Sequence, residues 1–167
     1  MPYDPNKVEE RLLIVTDKFA ELIAAAPYIA AAPQIPVLTE RKGDINNEIA
    51  KALNSLGVSI TIVTPDGDNL VTNGDLMNVR VRLVAEITEN VLINQGKAAA
   101  SQTTYRPALG VALAAMKAVH LQPNGLDTER HMKGLNEFLL PDDEPPYRLV
   151  PAQRPTYHVT AYTVVEF

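Results

Sequence analysis

Apolar and polar residues alternate along residues 79–87, where every second side chain is apolar. The apolar set is Val79, Val81, Leu83, Ala85 and Ile87. A period of two is typical of a strand with one buried face and one solvated face, as in an antiparallel sheet. Residues 58–64 (VSITIVT) are rich in β-branched side chains and predict a second strand.

Three other stretches carry apolar residues at the three- and four-residue spacing of an amphipathic helix. The first ends at Pro27, which cannot continue a helix. The second begins at Asp44, a good N-cap residue, and ends at Gly57, which suits the left-handed position after a helix. The third follows Pro107, and its apolar stripe is Leu109, Ala112, Leu113, Met116 and Val119.

The segments between these elements have no clear period. Residues 27–43 are rich in proline, and residues 64–78 are rich in Asp, Asn and Gly, so we expect both to be irregular. The second of them forms an excursion between two strands. Residues 89–106 are expected to form a polar loop, and residues 140–146 an acidic, proline-rich loop.

The last residues of the sequence, TYHVTAYTVVEF, alternate again and contain aromatic and β-branched side chains. The order of elements therefore predicts an α+β fold: a small antiparallel sheet with helices packed on one face, completed by the C-terminal strand. We expect an N-terminal helix and proline-rich arm in residues 1–43 and the α+β domain in residues 44–167.

Composition narrows the range of functions. Hydrophobic residues make up 46% of the chain, enough for a core, and the net charge of −5 argues against a protein that grips nucleic acid. The absence of cysteine removes disulfides, thiolate catalysis and cysteine zinc sites. The start, MPYDPNKVEERLL, lacks the basic and then apolar stretch of a signal peptide, so we expect a soluble protein that is not exported.

The candidate residues for chemistry do not form a known pattern. The histidines are His120, His131 and His158, and their spacing fits no metal motif. Acidic residues lie among glycines in residues 64–78, at Asp66, Asp68 and Asp75, but no glutamate follows at the distance that an EF-hand requires. Neither a phosphate-binding glycine loop nor a nucleophile elbow occurs. We therefore expect no metal, no cofactor and no enzyme activity.

Charged residues on the solvated face of the strand at residues 79–87 allow two interpretations. Arg80, Arg82 and Glu86 form either an ordinary solvated face with a weak cross-strand ion pair or an electrostatic subunit contact. The sequence leaves both open.

Residues 44–167 run helix, strand, excursion, strand, helix, acidic loop and terminal strand. The terminal strand has the pattern Thr-Tyr-x-Val-x-x-Tyr, formed by Thr156, Tyr157, Val159 and Tyr162. In this combination the chain resembles the tail terminator (tail completion) proteins of long-tailed bacteriophages. The resemblance covers the chain from Asp44 onwards.

The resemblance implies a structural virion protein that forms a homo-oligomeric ring, typically a hexamer, on the end of the tail tube. Such a ring ends tube polymerisation and provides the surface for head–tail joining. Its expected partners are further copies of itself, the tail tube protein and head–tail connector proteins, while DNA passes through the lumen without specific binding. The expected location is the virion tail or neck, assembled in the host cytoplasm, with no membrane. Candidate interface residues are Arg80, Arg82, Glu86, Asp66, Asp68 and Asp75.

Two alternatives remain at this stage. A head–tail connector (neck) protein belongs to the same assembly and differs in the neighbour that it contacts. A small-molecule-binding α+β domain belongs to another class; it would need a pocket with convergent polar residues, and a stable monomer would favour it.

Overall fold

Helices and strands are interspersed along the chain in the computed structural model, which describes residues 3–4, 6–40, 43–73, 76–100, 105–126 and 136–167. The helices are α1 (Val8–Ala25), α2 (Pro27–Ala30), α3 (Ile45–Ser55), α4 (Val91–Ala100) and α5 (Ala108–Val119). The strands are β1 (Val37–Thr39), β2 (Val58–Asn73), β3 (Leu76–Glu89), β4 (Tyr147–Val150) and β5 (Thr156–Glu166).

The strands of the described residues form one sheet in the order β1-β2-β3-β5-β4. Neighbouring strands are antiparallel except β1 and β2, which are parallel. A parallel pair needs a crossover connection, and α3 provides it between β1 and β2. The predicted α+β class and the place of the C-terminal strand β5 in the sheet, between β3 and β4, are confirmed. The sheet is mixed rather than antiparallel throughout, because β1 joins it parallel to β2.

The core lies between one face of the sheet, here called the inner face, and helices α1 and α5. The inner face is formed by the alternate residues that the sequence pattern predicts, and Val81, Leu83 and Ile87 are fully or almost fully buried there. β5 adds Val159 and Ala161 in register with β3. The helix α1 contributes Phe19, whose ring centroid lies 5.4 Å from that of Phe138.

The first 43 residues pack with the rest of the chain. Ile23 in α1, Ile29 in α2 and Ile35 after α2 are fully buried members of the same core cluster as the strands. Val37 of β1 pairs with Ile60 of β2. In the described residues, the predicted proline-rich arm thus contains a short helix and an edge strand of the sheet.

The predicted irregular excursion at residues 64–78 is wrong, because β2 and β3 continue pairing through most of it. The paired positions run from Asp66 opposite Arg82 to Asn73 opposite Leu76. Register shifts between Val63 and Asp66 and between Gly67 and Asn69 absorb the turn-forming residues as bulges. Turn residues in a sequence do not distinguish a bulged ribbon from a loop, which explains the error.

Besides α2 and β1, two further elements were not predicted: α4, which replaces part of the expected polar loop, and the edge strand β4. The buried face of α5 also differs from the predicted stripe. Its buried residues are Ala108, Val111, Ala112, Ala115 and Val119, whereas Leu109 and Leu113 are exposed. Since α5 is apolar almost all round, its period does not define the face, and small alanines approach the sheet most closely.

Candidate subunit and partner interfaces

Five side chains form a charged and aromatic surface on the sheet face opposite the core, here called the outer face. They are Arg80, Arg82 and Glu86 from β3 and His158 and Tyr162 from β5. Strand pairing places Arg82 opposite Tyr162 and Glu86 opposite His158. The predicted outward alternation of β3 is therefore confirmed, and β5 brings residues far apart in sequence onto the same surface.

A network around Glu144 joins the outer face to the acidic loop. The Tyr162 hydroxyl donates a 2.7 Å hydrogen bond to Glu144 Oε1, and Arg82 Nε lies 4.0 Å from the same oxygen. The Arg80 guanidinium stacks over the Tyr162 ring, 4.2 Å from its centroid. These contacts hold the loop against the sheet within one subunit.

Glu86 also has a partner on the neighbouring strand. His158 Nε2 lies 3.1 Å from Glu86 Oε2, and both side chains are partly exposed. An exposed pair of this kind contributes at most about 1 kcal/mol. The structure thus gives Arg80, Arg82 and Glu86 contacts inside the subunit, and their role at an interface stays a prediction.

The three aspartates predicted as interface residues do not form a site in the described part of the chain. Asp66 is exposed and lies opposite Arg82 in the β2–β3 register. The backbone of Asp68 falls at the second register shift of β2. Asp75 lies outside the described residues, as does His131.

A cavity of about 210 Å³ opens beside the outer face, and its lining includes Arg80, Tyr162, Asp142 and Asp143. Small-molecule sites usually enclose about 300–1,000 Å³ and are mainly apolar. This cavity is smaller and carries both signs of charge, which makes it a poor pocket for an apolar ligand.

Apolar side chains without cover form a second surface, here called the α5–β4 surface. Leu109 and Leu113 are each 40% exposed and Leu149 of β4 is 62% exposed. Leu149 is in register with Tyr157 and so lies on the inner-face side of the sheet, and α5 contacts β4. Lys117 follows Leu113 by one helical turn on the same side of α5 and is exposed.

A groove of about 280 Å³ lies between α1 and β1, here called the α1–β1 groove. Its lining residues are Asp17, Ala20, Glu21, Ala24, Val37 and Thr39. The small side chains of Ala20 and Ala24 leave this space open, and the carboxylates of Asp17 and Glu21 form part of its lining. Lys18 Nζ lies 3.0 Å from Glu21 Oε1, so one carboxylate already has a cation beside it.

A buried arginine, missed by the sequence analysis, supports the geometry of the helix layer. Arg106 is 6% exposed and donates to the carbonyls of Tyr28 (3.1 Å), Ile29 (3.3 Å), Ala31 (3.0 Å) and Pro33. Burial lowers the pKa of the Arg106 guanidinium, and the nearby Tyr28 hydroxyl opposes that shift. A single arginine in a polar segment gives no sequence signal for this role.

Glu89 at the end of the strand β3 is hydrogen-bonded to the helices α4 and α5. Its Oε1 accepts a 2.9 Å hydrogen bond from Asn94 Nδ2 on α4, and its Oε2 accepts a 3.0 Å bond from Ala108 N at the start of α5. A carboxylate at a helix N-terminus satisfies a free N–H and is favoured by the helix dipole. Glu89 therefore fixes where α5 begins over the sheet.

Within the described part of the chain, no three His, Asp or Glu side chains come together closely enough to hold a metal ion. No helix there combines the length and the apolar character that a membrane span needs. Comparison of the sequence with protein-family models and with curated proteins gives no match.

Proposed function

We propose that this protein is a structural component of a bacteriophage tail that forms a homo-oligomeric ring on the end of the tail tube. The ring ends tube polymerisation and offers a surface for head–tail joining. No step of this function requires a catalytic group or a cofactor. The resemblance of residues 44–167 to tail terminator proteins supplies the identity of the assembly.

One observation carries the proposal: the subunit has two different open surfaces at opposite edges of a single sheet. The α1–β1 groove lies at the β1 edge and the α5–β4 surface at the β4 edge. A ring requires a heterologous contact, in which unlike surfaces of successive copies meet and the rotation closes. Exposed leucines at one of these edges also fit a protein that buries them in an assembly.

The outer face is the surface that we assign to the tail tube or the connector. It is polar and partly exposed, and it lies on the other side of the sheet from α1 and α5. Charged groups on such a face favour specific, salt-sensitive recognition of a partner over permanent burial. In this proposal, Arg82 and Glu86 contact the partner protein.

The test is tube growth in the presence of the purified protein. Tubes are assembled from the tail tube protein of the same phage, with and without this chain, and imaged by negative-stain electron microscopy. We expect shorter tubes that carry a ring at one end. Unchanged tube lengths with bare ends would contradict the proposal, and rings that bind only the connector would assign the protein to the neck instead.

A further inference from the structure

We propose that the ring closes by docking the α5–β4 surface of one copy into the α1–β1 groove of the next. This inference rests on the proposed homo-oligomeric function and identifies its subunit contact. The occupant of each surface is thus a second copy of this chain.

The positions of the two surfaces support a head-to-tail contact. The helix α1 packs over β1 and β2, whereas α5 packs over β3, β5 and β4. The two surfaces are therefore on the same layer of the molecule but at opposite edges of the sheet. One copy can present its α5–β4 surface while its groove receives another copy, which is the condition for a ring.

The two surfaces are complementary in shape and polarity. Leu113 and Leu149 project from one edge, and the groove at the other edge has Ala20 and Ala24 in its lining. A groove of about 280 Å³ is large enough for more than one leucine side chain. Burying a leucine contributes about 1.5–3 kcal/mol, which favours this mode of contact.

Charge complementarity favours the same pairing. The groove wall carries Asp17 and Glu21, whereas Lys117 is an exposed cation on the α5–β4 surface. Lys18 offsets part of the negative charge through its contact with Glu21. A groove wall with these two carboxylates would attract Lys117 of a neighbour and disfavour the contact of two identical edges.

Addition of a strand to β1 or β4 is a poor alternative contact. The edge strand β1 spans Val37–Thr39 and follows Pro36, and β4 spans Tyr147–Val150 between Pro146 and Pro151. Short edges bounded by proline present few free N–H groups and resist pairing with another strand. At β1 and β4, side chains rather than backbone ladders therefore make the contact.

A mixing experiment with the full chain tests this pairing. Ala24→Arg fills the groove and leaves the α5–β4 surface intact, whereas Leu113→Asp does the reverse. We expect each variant alone to be monomeric in size-exclusion chromatography with light scattering. Their equimolar mixture should form a one-to-one dimer and nothing larger, since only one of the two contacts can form.

Substitutions of exposed charged residues provide a second test of the pairing. This test stays informative if Ala24→Arg or Leu113→Asp fails to fold. Glu21→Lys should raise the concentration of half-assembly about tenfold or more, and Lys117→Glu in the same chain should restore much of it. Glu48→Lys on α3 is the control, because Glu48 is also exposed but lies at neither surface.

The outcomes separate this inference from the proposed function. A wild-type ring that persists in Ala24→Arg and Glu21→Lys would overturn the pairing and leave the ring function standing. A wild-type chain that is monomeric at every concentration would overturn both. Variants that fail alone and pair only when mixed would support the inference.

Discussion

The backbone of Phe167 is hydrogen-bonded in both directions to Met77. Phe167 N donates to Met77 O at 2.7 Å, and Met77 N donates to Phe167 O at 3.1 Å. The end of the chain is thus joined to the distal part of the β2–β3 hairpin. β5 pairs with β3 along its whole length and also has β4 on its other side over residues 156–159, so its first part is internal to the sheet.

Deletion of residues 160–167 should therefore unfold the protein. The deletion removes the buried Val165, the partly buried Phe167 and most of the ladder to β3. Each large apolar side chain contributes about 1.5–3 kcal/mol, against a typical total stability of about 5–15 kcal/mol. Circular dichroism and a sizing measurement should show a loss of cooperative unfolding.

Deletion of Phe167 alone is the matched control for that variant. It removes the two bonds to Met77 but keeps the buried strand, so we expect a folded protein of lower stability. A chain lacking residues 160–167 that folds and assembles normally would show that β5 is dispensable.

Gly57→Ala should destabilise the protein by about 2 kcal/mol or more. Gly57 has φ of +80°, and an added Cβ would lie 2.9 Å from Asn94 Cγ and collide with Asn94 Oδ1. Gly96→Ala is the control, because nothing lies within 4 Å of its added Cβ in α4. Replacing a helical glycine should stabilise the chain by up to about 1 kcal/mol. Thermal unfolding should give shifts of opposite sign, and equal shifts would contradict this account.

Arg106→Met should cost at least about 3 kcal/mol, since a hydrogen bond to a charged group contributes about 1.5–3 kcal/mol and four carbonyls lose a buried partner. The exposed Arg154 provides a control of the same chemistry, and Arg154→Met should change stability by less than about 0.5 kcal/mol. Urea unfolding measures both. Similar losses of stability in the two variants would contradict the structural role of Arg106.

Neutralising the outer face should separate partner binding from ring formation. In the triple variant Arg80→Gln, Arg82→Gln and Glu86→Gln, we expect rings to form but tubes to be bound about tenfold more weakly. The double variant Glu48→Gln and Lys51→Gln removes an exposed ion pair on α3 and should leave tube binding unchanged. A triple variant that binds tubes normally would show that the outer face is not the partner interface.

The sequence predicted the structure correctly where apolar and polar residues alternate regularly and where a helix begins at a capping residue. The inward residues of β3 and the start of α3 at Asp44, whose side chain accepts from Asn47 N, are as predicted. Local patterns failed where tertiary contacts decide the structure. The bulged ribbon after Val63 depends on pairing with β3, and the burial of Arg106 depends on carbonyls more than 70 positions away.

The candidate interface surfaces were also predicted only where local sequence patterns decide the position of a side chain. The outward position of Arg82 follows from alternation, but its proximity to Glu144 needs the loop to fold back onto β5. Leu113 was expected in the core because α5 is apolar on several sides, and only the packing of its alanines shows that this leucine is exposed. Neither edge surface is visible in the sequence, since each depends on how a helix packs against an edge strand of the sheet.

Electron microscopy of the purified full chain tests the central claim most directly. Class averages across a range of concentrations should show closed rings of one subunit number with an open centre, and we expect six subunits from the resemblance to tail terminators. The α1–β1 groove of each subunit should face the α5–β4 surface of its neighbour. Particles that remain single subunits at all concentrations would contradict the account.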